Sequence, residues 1–298
     1  METHLARVLV CLALVCSGGV SAATGTETSK QLESPATRTV LLLGDSLIVT
    51  SFGEHLETLL NEQPGIRAVR RAKSSTGLAR PDFFDWMAVG REEVERHRPD
   101  VVVVIMGGND GQGLTDGKGK AQVQWGAAGW ASAYRQRVEE FLGVLAAPGR
   151  KILWVALPTT GLKNFERKLG VIRPILRDAV SAREDALHLD TKSFFLDATG
   201  AILREARVDG FRKPMRLKME DGVHFTLAGG RYFATKVYPS VMGLLGPGEG
   251  SPSVPSEPGN VATAPPPLEE VGESESSVCR EADAVSEVPM MSVASCEP

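Results

Sequence analysis

Thr39-Val40-Leu41-Leu42-Leu43, running straight into Gly44-Asp45-Ser46-Leu47, is the stretch whose reading decides the fold. Its apolar run is continuous, without the polar alternation of a strand that has one wet face, so it reads as a strand buried on both faces. Working outward, similar candidates recur. Ile66 to Ala72 is a weaker strand, and Val101 to Met106 (VVVVIM) is the clearest, bounded by Pro99-Asp100 and Gly107-Gly108. Lys151 to Leu157 (KILWVAL) is stopped by Pro158, and Ala186 to Leu189 is a short fifth strand. Helical patterns cover Glu54 to Glu62, Arg91 to Arg98, Trp130 to Leu145, Phe165 to Arg183 and Leu227 to Leu245. Strands alternating with helices predict an α/β fold: a mostly parallel sheet of five strands with helices on both faces. Such sheets bind ligands outside the carboxyl ends of their strands. The chemistry is therefore expected just after the strands.

The ends of the chain differ from this body. The whole sequence of 298 residues has a net charge of −4. From Pro247 onward there are ten acidic residues, one basic residue (Arg280) and nine of the 18 prolines. That tail carries −9 against −4 for the whole, which leaves the remainder at about +5. Ser251 to Pro298 has too few large apolar residues to offset its ordering entropy, so 247–298 reads as a disordered acidic extension. No clustered basic excess calls for nucleic acid. At the other end, Arg7, the apolar run Val8 to Cys16 and Val20-Ser21-Ala22 read as an export signal over 1–23, followed by a polar linker, 24–37. The run is too short to span a bilayer. A buried N-terminal helix or strand is the alternative, and Cys16 raises a lipoprotein, against which stands the large Val15. With the signal removed, no membrane span is expected, and the protein is expected to be exported, periplasmic or extracellular. Cys11 and Cys16 belong to the signal; Cys279 and Cys296 lie in the tail, where an oxidising compartment would let them pair. The body between has no cysteine, which excludes thiol catalysis and thiolate metal sites there.

Four short blocks could carry chemistry. Gly44-Asp45-Ser46-Leu47 follows the first strand, where Ser46 is either an N-cap or a hydroxyl presented at the start of a helix whose N-terminus favours negative charge. Gly107-Gly108-Asn109-Asp110 follows the third strand. Asn109 offers an amide donor suited to an oxyanion, or the pair caps backbone groups in a turn. In Asp221-Gly222-Val223-His224 the carboxylate reaches the imidazole within one turn and would fix its tautomer; a surface loop or a helix-capping histidine is the alternative. Gly77, in Ser74-Ser75-Thr76-Gly77, offers a further backbone N–H or is simply a loop glycine.

The order and spacing of these blocks resemble the SGNH (GDSL-type) hydrolase superfamily, over about Thr39 to Leu245. Together with the export signal they look like a poorly characterised bacterial periplasmic subgroup. The second block, Lys73-Ser74-Ser75-Thr76-Gly77-Leu78, lacks the asparagine commonly found near its glycine. The resemblance implies a three-layer α/β/α sandwich of flavodoxin-like type, a serine ester hydrolase activity, and no metal or organic cofactor. It implies Ser46 as nucleophile, His224 as general base, Asp221 as the residue that orients His224, and the N–H groups of Ser46 and Gly77 with the Asn109 side chain as the oxyanion hole.

The expected substrate is an acetyl or short acyl ester, on cell-envelope or extracellular carbohydrate such as an acetylated polysaccharide. A polysaccharide O-acyltransferase using the same triad and a non-catalytic envelope-binding module are the competing readings. Trp125 and Trp130 could stack on sugar rings or pack a helix on the sheet. Arg212, Lys213, Arg216 and Lys218 read as a solvated basic run or as the contact for an anionic polymer.

Overall fold

The computed structural model describes residues 37–246, all within one compact unit of the chain. The export signal, the linker to residue 36, the acidic tail and all four cysteines lie outside the described residues. In chain order the elements begin β1 (Arg38–Gly44), α1 (Ser46–Val49), α2 (Ser51–Asn61), β2 (Ile66–Ala72), α3 (Trp86–His97) and β3 (Val101–Ile105). There follow β4 (Leu114–Thr115), β5 (Ala121–Val123), α4 (Trp130–Leu145), β6 (Lys151–Val155) and α5 (Lys163–Ser181). The last are β7 (Ala186–Leu189), a 3-10 turn (Lys192–Phe195), β8 (Glu205–Ala206), β9 (Met215–Arg216) and α6 (Leu227–Leu245).

The main sheet has the order β2-β1-β3-β6-β7, and every pairing in it is parallel. Val40 to Leu43, Val101 to Ile105 and Ile152 to Val155 are buried throughout, as unbroken apolar runs require when helices cover both faces. On one face α2 packs against α6; on the other α3, α4 and α5 pack side by side. The result is the expected three-layer α/β/α sandwich. Two small antiparallel hairpins, β4-β5 and β8-β9, stand apart from the sheet.

The expected boundaries shift where a cap outweighs amphipathic periodicity. α3 starts at Trp86 rather than Arg91, because the Asp85 carboxylate accepts the N–H groups of Met87 and Ala88. α2 starts at Ser51 rather than Glu54, although Thr50 at its N-cap makes no side-chain capping bond and donates instead to the Ser46 carbonyl. β6 ends at Val155, so Leu157 leaves the sheet for the loop beyond it.

β1 has β2 on one side and β3 on the other, so successive crossovers leave β1 in opposite directions. At such a switch point the loops at the carboxyl ends of the two central strands diverge and leave a crevice. Ser46 follows β1 and Asn109 follows β3, which puts both at that crevice. Gly44 makes the approach possible: a Cβ there would lie 2.2 Å from the Ile105 carbonyl oxygen of β3.

Candidate active site

Asp45 follows β1 and caps α1, its carboxylate accepting the Leu47 N–H at 3.1 Å. Ser46 is thus the first residue of a one-turn helix. Its hydroxyl lies 2.8 Å from Nε2 of His224. On the other side of the ring, His224 Nδ1 lies 2.6 Å from Asp221 Oδ2. Asp221 Oδ1 accepts the N–H groups of Val223 and His224 at 2.9 and 3.0 Å. Although partial burial opposes it, the hydrogen bonds from the His224 ring and these two N–H groups hold the Asp221 carboxyl below the usual range. An ionised Asp221 accepts from Nδ1–H and leaves the Nε2 lone pair to accept from the serine hydroxyl. A serine, a histidine and an aspartate expected from two distant blocks are therefore in one hydrogen-bonded line, 178 residues apart between Ser46 and His224.

The loop carrying this pair is closed on itself. Lys218 bridges to Phe225 in antiparallel fashion, and Met219 N–H donates to the His224 carbonyl at 2.8 Å. The Lys218 ammonium donates to the Val223 carbonyl at 2.8 Å and sits 3.6 Å from the centre of the Phe225 ring. Burial lowers its pKa to about 7, against the pull of Asp221 and Glu166. Of the basic run, Arg212, Lys213 and Arg216 are exposed, whereas Lys218 lines the cavity beside His224.

The loop after β3 is built differently. Asn109 donates from Nδ2 to the Thr76 carbonyl at 2.9 Å, and the same nitrogen lies 3.4 Å from Asp45 Oδ2. The long second contact leaves one amide N–H available to a closer acceptor. Asp110 is wholly buried and accepts from the N–H groups of Leu78 and Ala79 and from the Tyr134 hydroxyl, at 3.1, 2.8 and 2.7 Å. It is the backbone cap that the turn reading anticipated, acting on the 74–79 loop. Gly77 is pressed against it: a Cβ at residue 77 would lie 2.1 Å from Asp110 Oδ1. Gly77 lines a different cavity, with Trp86, rather than the one that holds Ser46. Among the described residues the N–H groups of Ser46 and Gly77 have no protein acceptor. Burial, reinforced by the nearby Asp110, raises the Asp45 pKa to about 7 against the Leu47 N–H, so this carboxyl is held largely protonated in acid.

Ser46, Asn109 and His224 share a cavity of about 260 Å³ whose apolar walls include Leu47, Leu157, Phe165 and Leu169. Sequence reasoning missed the clamp that shapes this wall. Arg173 on α5 donates to the carbonyls of Leu157 and Pro158 at 2.8 and 2.9 Å and pairs with Glu166 at 2.7 Å. Glu166 in turn accepts from the Thr160 N–H and hydroxyl. A single cue existed in the sequence, the i, i+7 spacing of Glu166 and Arg173 on one helix face. Among the described residues, no three His, Cys, Asp or Glu side chains converge as metal ligands. A hydroxyl bonded to an oriented imidazole, with free N–H donors nearby, is equipped for nucleophilic attack on a carbonyl.

A family model described as "Protein of unknown function (DUF459)" matches residues 39–240. No curated protein matches the sequence. Among solved structures the chain is similar to TesA, at 20% identity and a TM-score of 0.47 over 70% of this chain and 99% of that one. It is similar to the psychrotrophic esterase EstA from Pseudoalteromonas sp., at 12% identity and a TM-score of 0.48, over 70% and 98% of the two chains. A catalytic mutant of Axe2, an acetylxylan esterase from Geobacillus stearothermophilus, gives 16% identity and 0.48, over 70% and 96%.

Proposed function

The chain belongs to the DUF459 family of proteins of unknown function, and we propose that it is a serine ester hydrolase. The observation that carries this reading is the line from Ser46 through His224 to Asp221, at 2.8 and 2.6 Å. Ser46 Oγ attacks the ester carbonyl carbon while its proton passes to His224 Nε2. Charge builds on the carbonyl oxygen, where the Ser46 N–H and the Asn109 amide are the donors to meet it; the Gly77 N–H, expected as a third donor, belongs to a loop that lines another cavity. The bond to the alcohol breaks, and His224 gives the proton to the leaving oxygen. A water, deprotonated by His224, then attacks the acyl-Ser46 carbonyl, releasing the acid and restoring the serine hydroxyl. Asp221 stays ionised throughout and holds the ring.

The cavity of about 260 Å³ falls below the roughly 300–1,000 Å³ of pockets for drug-sized ligands, which favours an acetyl or short acyl group. With the His224 side chain 33% exposed and that of Asp221 48% exposed, water reaches the base, which favours hydrolysis over transfer to a sugar hydroxyl. The signal-like residues 1–23 support an exported, periplasmic or extracellular enzyme, and hence an acylated envelope or extracellular carbohydrate as substrate.

The test is a burst assay with p-nitrophenyl acetate, with mass spectrometry of the quenched protein. Expected are turnover and one acetyl group on Ser46, both lost in Ser46→Ala. Absence of the adduct, together with equal rates for the two proteins, overturns the reading.

A further inference from the structure

α5 has two working faces. Phe165 and Leu169 face the cavity that holds Ser46, whereas Asn164, Lys168 and Val171 face a second, separate groove of about 640 Å³. The far wall of that groove comes from the segment that leads into α4, with Trp125, Ala127 and Ala131. None of these residues has a part in the proposed ester chemistry.

Trp125 is half-buried and rigidly backed. Its ring meets that of Trp130 edge-on, with centroids 4.4 Å apart and planes at 77°. Trp130 is buried, donates its indole N–H to the Gln112 carbonyl at 2.8 Å, and stacks on Tyr134 at 4.9 Å. Tyr134 ends on Asp110, beside Asn109. Hence Trp130, whose edge also lines the groove, is buried and has a packing role, while the half-buried Trp125 keeps more surface there and an indole N–H with no protein acceptor among the described residues.

The cations along this helix differ in their pairing. Arg173 and Arg177 pair with Glu166 and Asp178 at 2.7 and 2.8 Å. Arg167 and Lys168 have no carboxylate partner among the described residues; the Arg167 contact is Asn164 Oδ1, at 3.3 Å. The Lys168 stem lies along Gly111, where a Cβ would come within 2.6 Å of its Cδ. Gly111 is two residues beyond Asn109, so the groove abuts the loop that supplies the Asn109 amide.

We propose that this groove is a subsite for an acidic saccharide, a pyranose ring lying on Trp125 with its carboxylate held by Arg167 and Lys168. An aromatic face carries partial negative charge and accepts the C–H face of a sugar ring. A guanidinium and an ammonium without acids of their own favour a carboxylate through charge-assisted hydrogen bonds. A chain seated here and continuing past Gly111 would bring a neighbouring residue of the same polymer to Ser46. The inference rests on the reading of the substrate as an esterified carbohydrate, and makes that carbohydrate a polyuronate-like polymer.

Binding is tested in the Ser46→Ala full chain by calorimetry, which separates it from turnover. The probes are oligogalacturonate, the same oligosaccharide with its carboxylates reduced to alcohols, polyglutamate, and an oligodeoxythymidylate. Oligogalacturonate is expected to bind at least tenfold more tightly than the other three, and more weakly as salt rises. Trp125→Ala and the pair Arg167→Glu/Lys168→Glu are each expected to weaken it at least tenfold. In the Ser46 protein the same substitutions are expected to leave p-nitrophenyl acetate turnover unchanged. The surface pair guards against a Trp125→Ala variant that fails to fold. Equal binding of polyglutamate or the oligonucleotide, binding untouched by the Arg167/Lys168 pair, or no binding of oligogalacturonate overturns the subsite. Loss of Ser46 acylation would instead overturn the esterase reading, whatever the calorimetry gives.

Discussion

The loop after β3 and the loop before α6 both bring side chains to the cavity that holds Ser46, yet they are held in opposite ways. Around Asn109 the fixing groups are buried: Asp110 and Thr76 are sealed from water, and Asp110 accepts three protein hydrogen bonds. Around His224 the carboxylate that holds the ring is half in solvent, with Asp221 side-chain exposure at 48%, although Phe225, in the bridge to Lys218 that closes the loop, is buried. The difference fits the two chemical tasks that the proposed esterase reading assigns to these loops. Donors that meet developing charge work best when they are fixed beforehand and shielded. A base that passes protons to a leaving group and takes them from water needs access.

This contrast is sharpest in two aspartates. Asp221→Ala should lower kcat by about 10⁴-fold, since the imidazole loses its fixed tautomer, while a urea midpoint reports less than about 1 kcal/mol of lost stability. Asp110→Ala should do the reverse in kind, costing about 3 kcal/mol of stability by stranding two backbone N–H groups and the Tyr134 hydroxyl in the core. If Asp221→Ala unfolds the protein while Asp110→Ala leaves the urea midpoint unmoved, the distinction between buried scaffold and open base is wrong.

Next in size is Asn109→Ala, expected to lower kcat by about 10²–10³-fold with KM little changed, because the amide would act on charge present only in the transition state. The Thr76 carbonyl loses its donor in the same variant, so Asn109→Asp is a useful companion: it keeps the size and places like charge where the oxyanion forms. A rise in KM with kcat intact for both variants would move Asn109 from transition-state stabilisation to substrate binding.

What was legible in the sequence follows the range of the interaction. β1, β3 and β6 were readable because a strand buried on both faces writes its burial into consecutive residues, as in Val101 to Ile105. Asp221 and His224 were readable because three residues separate a carboxylate from the ring it orients. Lys218 was not: it looked like one more member of a solvated run, until the bridge to Phe225 turned it inward while Arg216 stayed exposed. Asp110 was legible as a cap but not for what it caps, since Leu78 and Ala79 lie 32 and 31 residues away. The groove lined by Trp125, Arg167 and Lys168 joins segments about forty residues apart, and nothing local announces it.

The smallest effect per unit of the quantity varied is a slope, and it probes the same two regions through pH. Asp45 lies on the buried side, with a folded pKa of about 7 raised above the ordinary 3.8. The fold therefore holds a proton that the unfolded chain has lost, so the stability Asp45 contributes is fully present below about pH 4 and is lost as pH rises through 7. Lys218 lies on the open side, with a folded pKa of about 7 lowered from 10.5. Here the unfolded chain holds the extra proton, so the cost of burying the ammonium is full below pH 7 and is relieved between 7 and about 10.5. Each slope is at most about 1.4 kcal/mol per pH unit. Urea midpoints from pH 4 to 10 should show Asp45→Asn removing a falling arm below 7, and Lys218→Met removing a rising arm above it. An Asn at residue 45 still caps α1, so the change in slope, not the absolute stability, is the measured quantity. If Asp45→Asn alters the slope above pH 7 instead, then Asp45 and not Lys218 carries the proton exchanged there, and the buried and open halves of the site titrate as one unit.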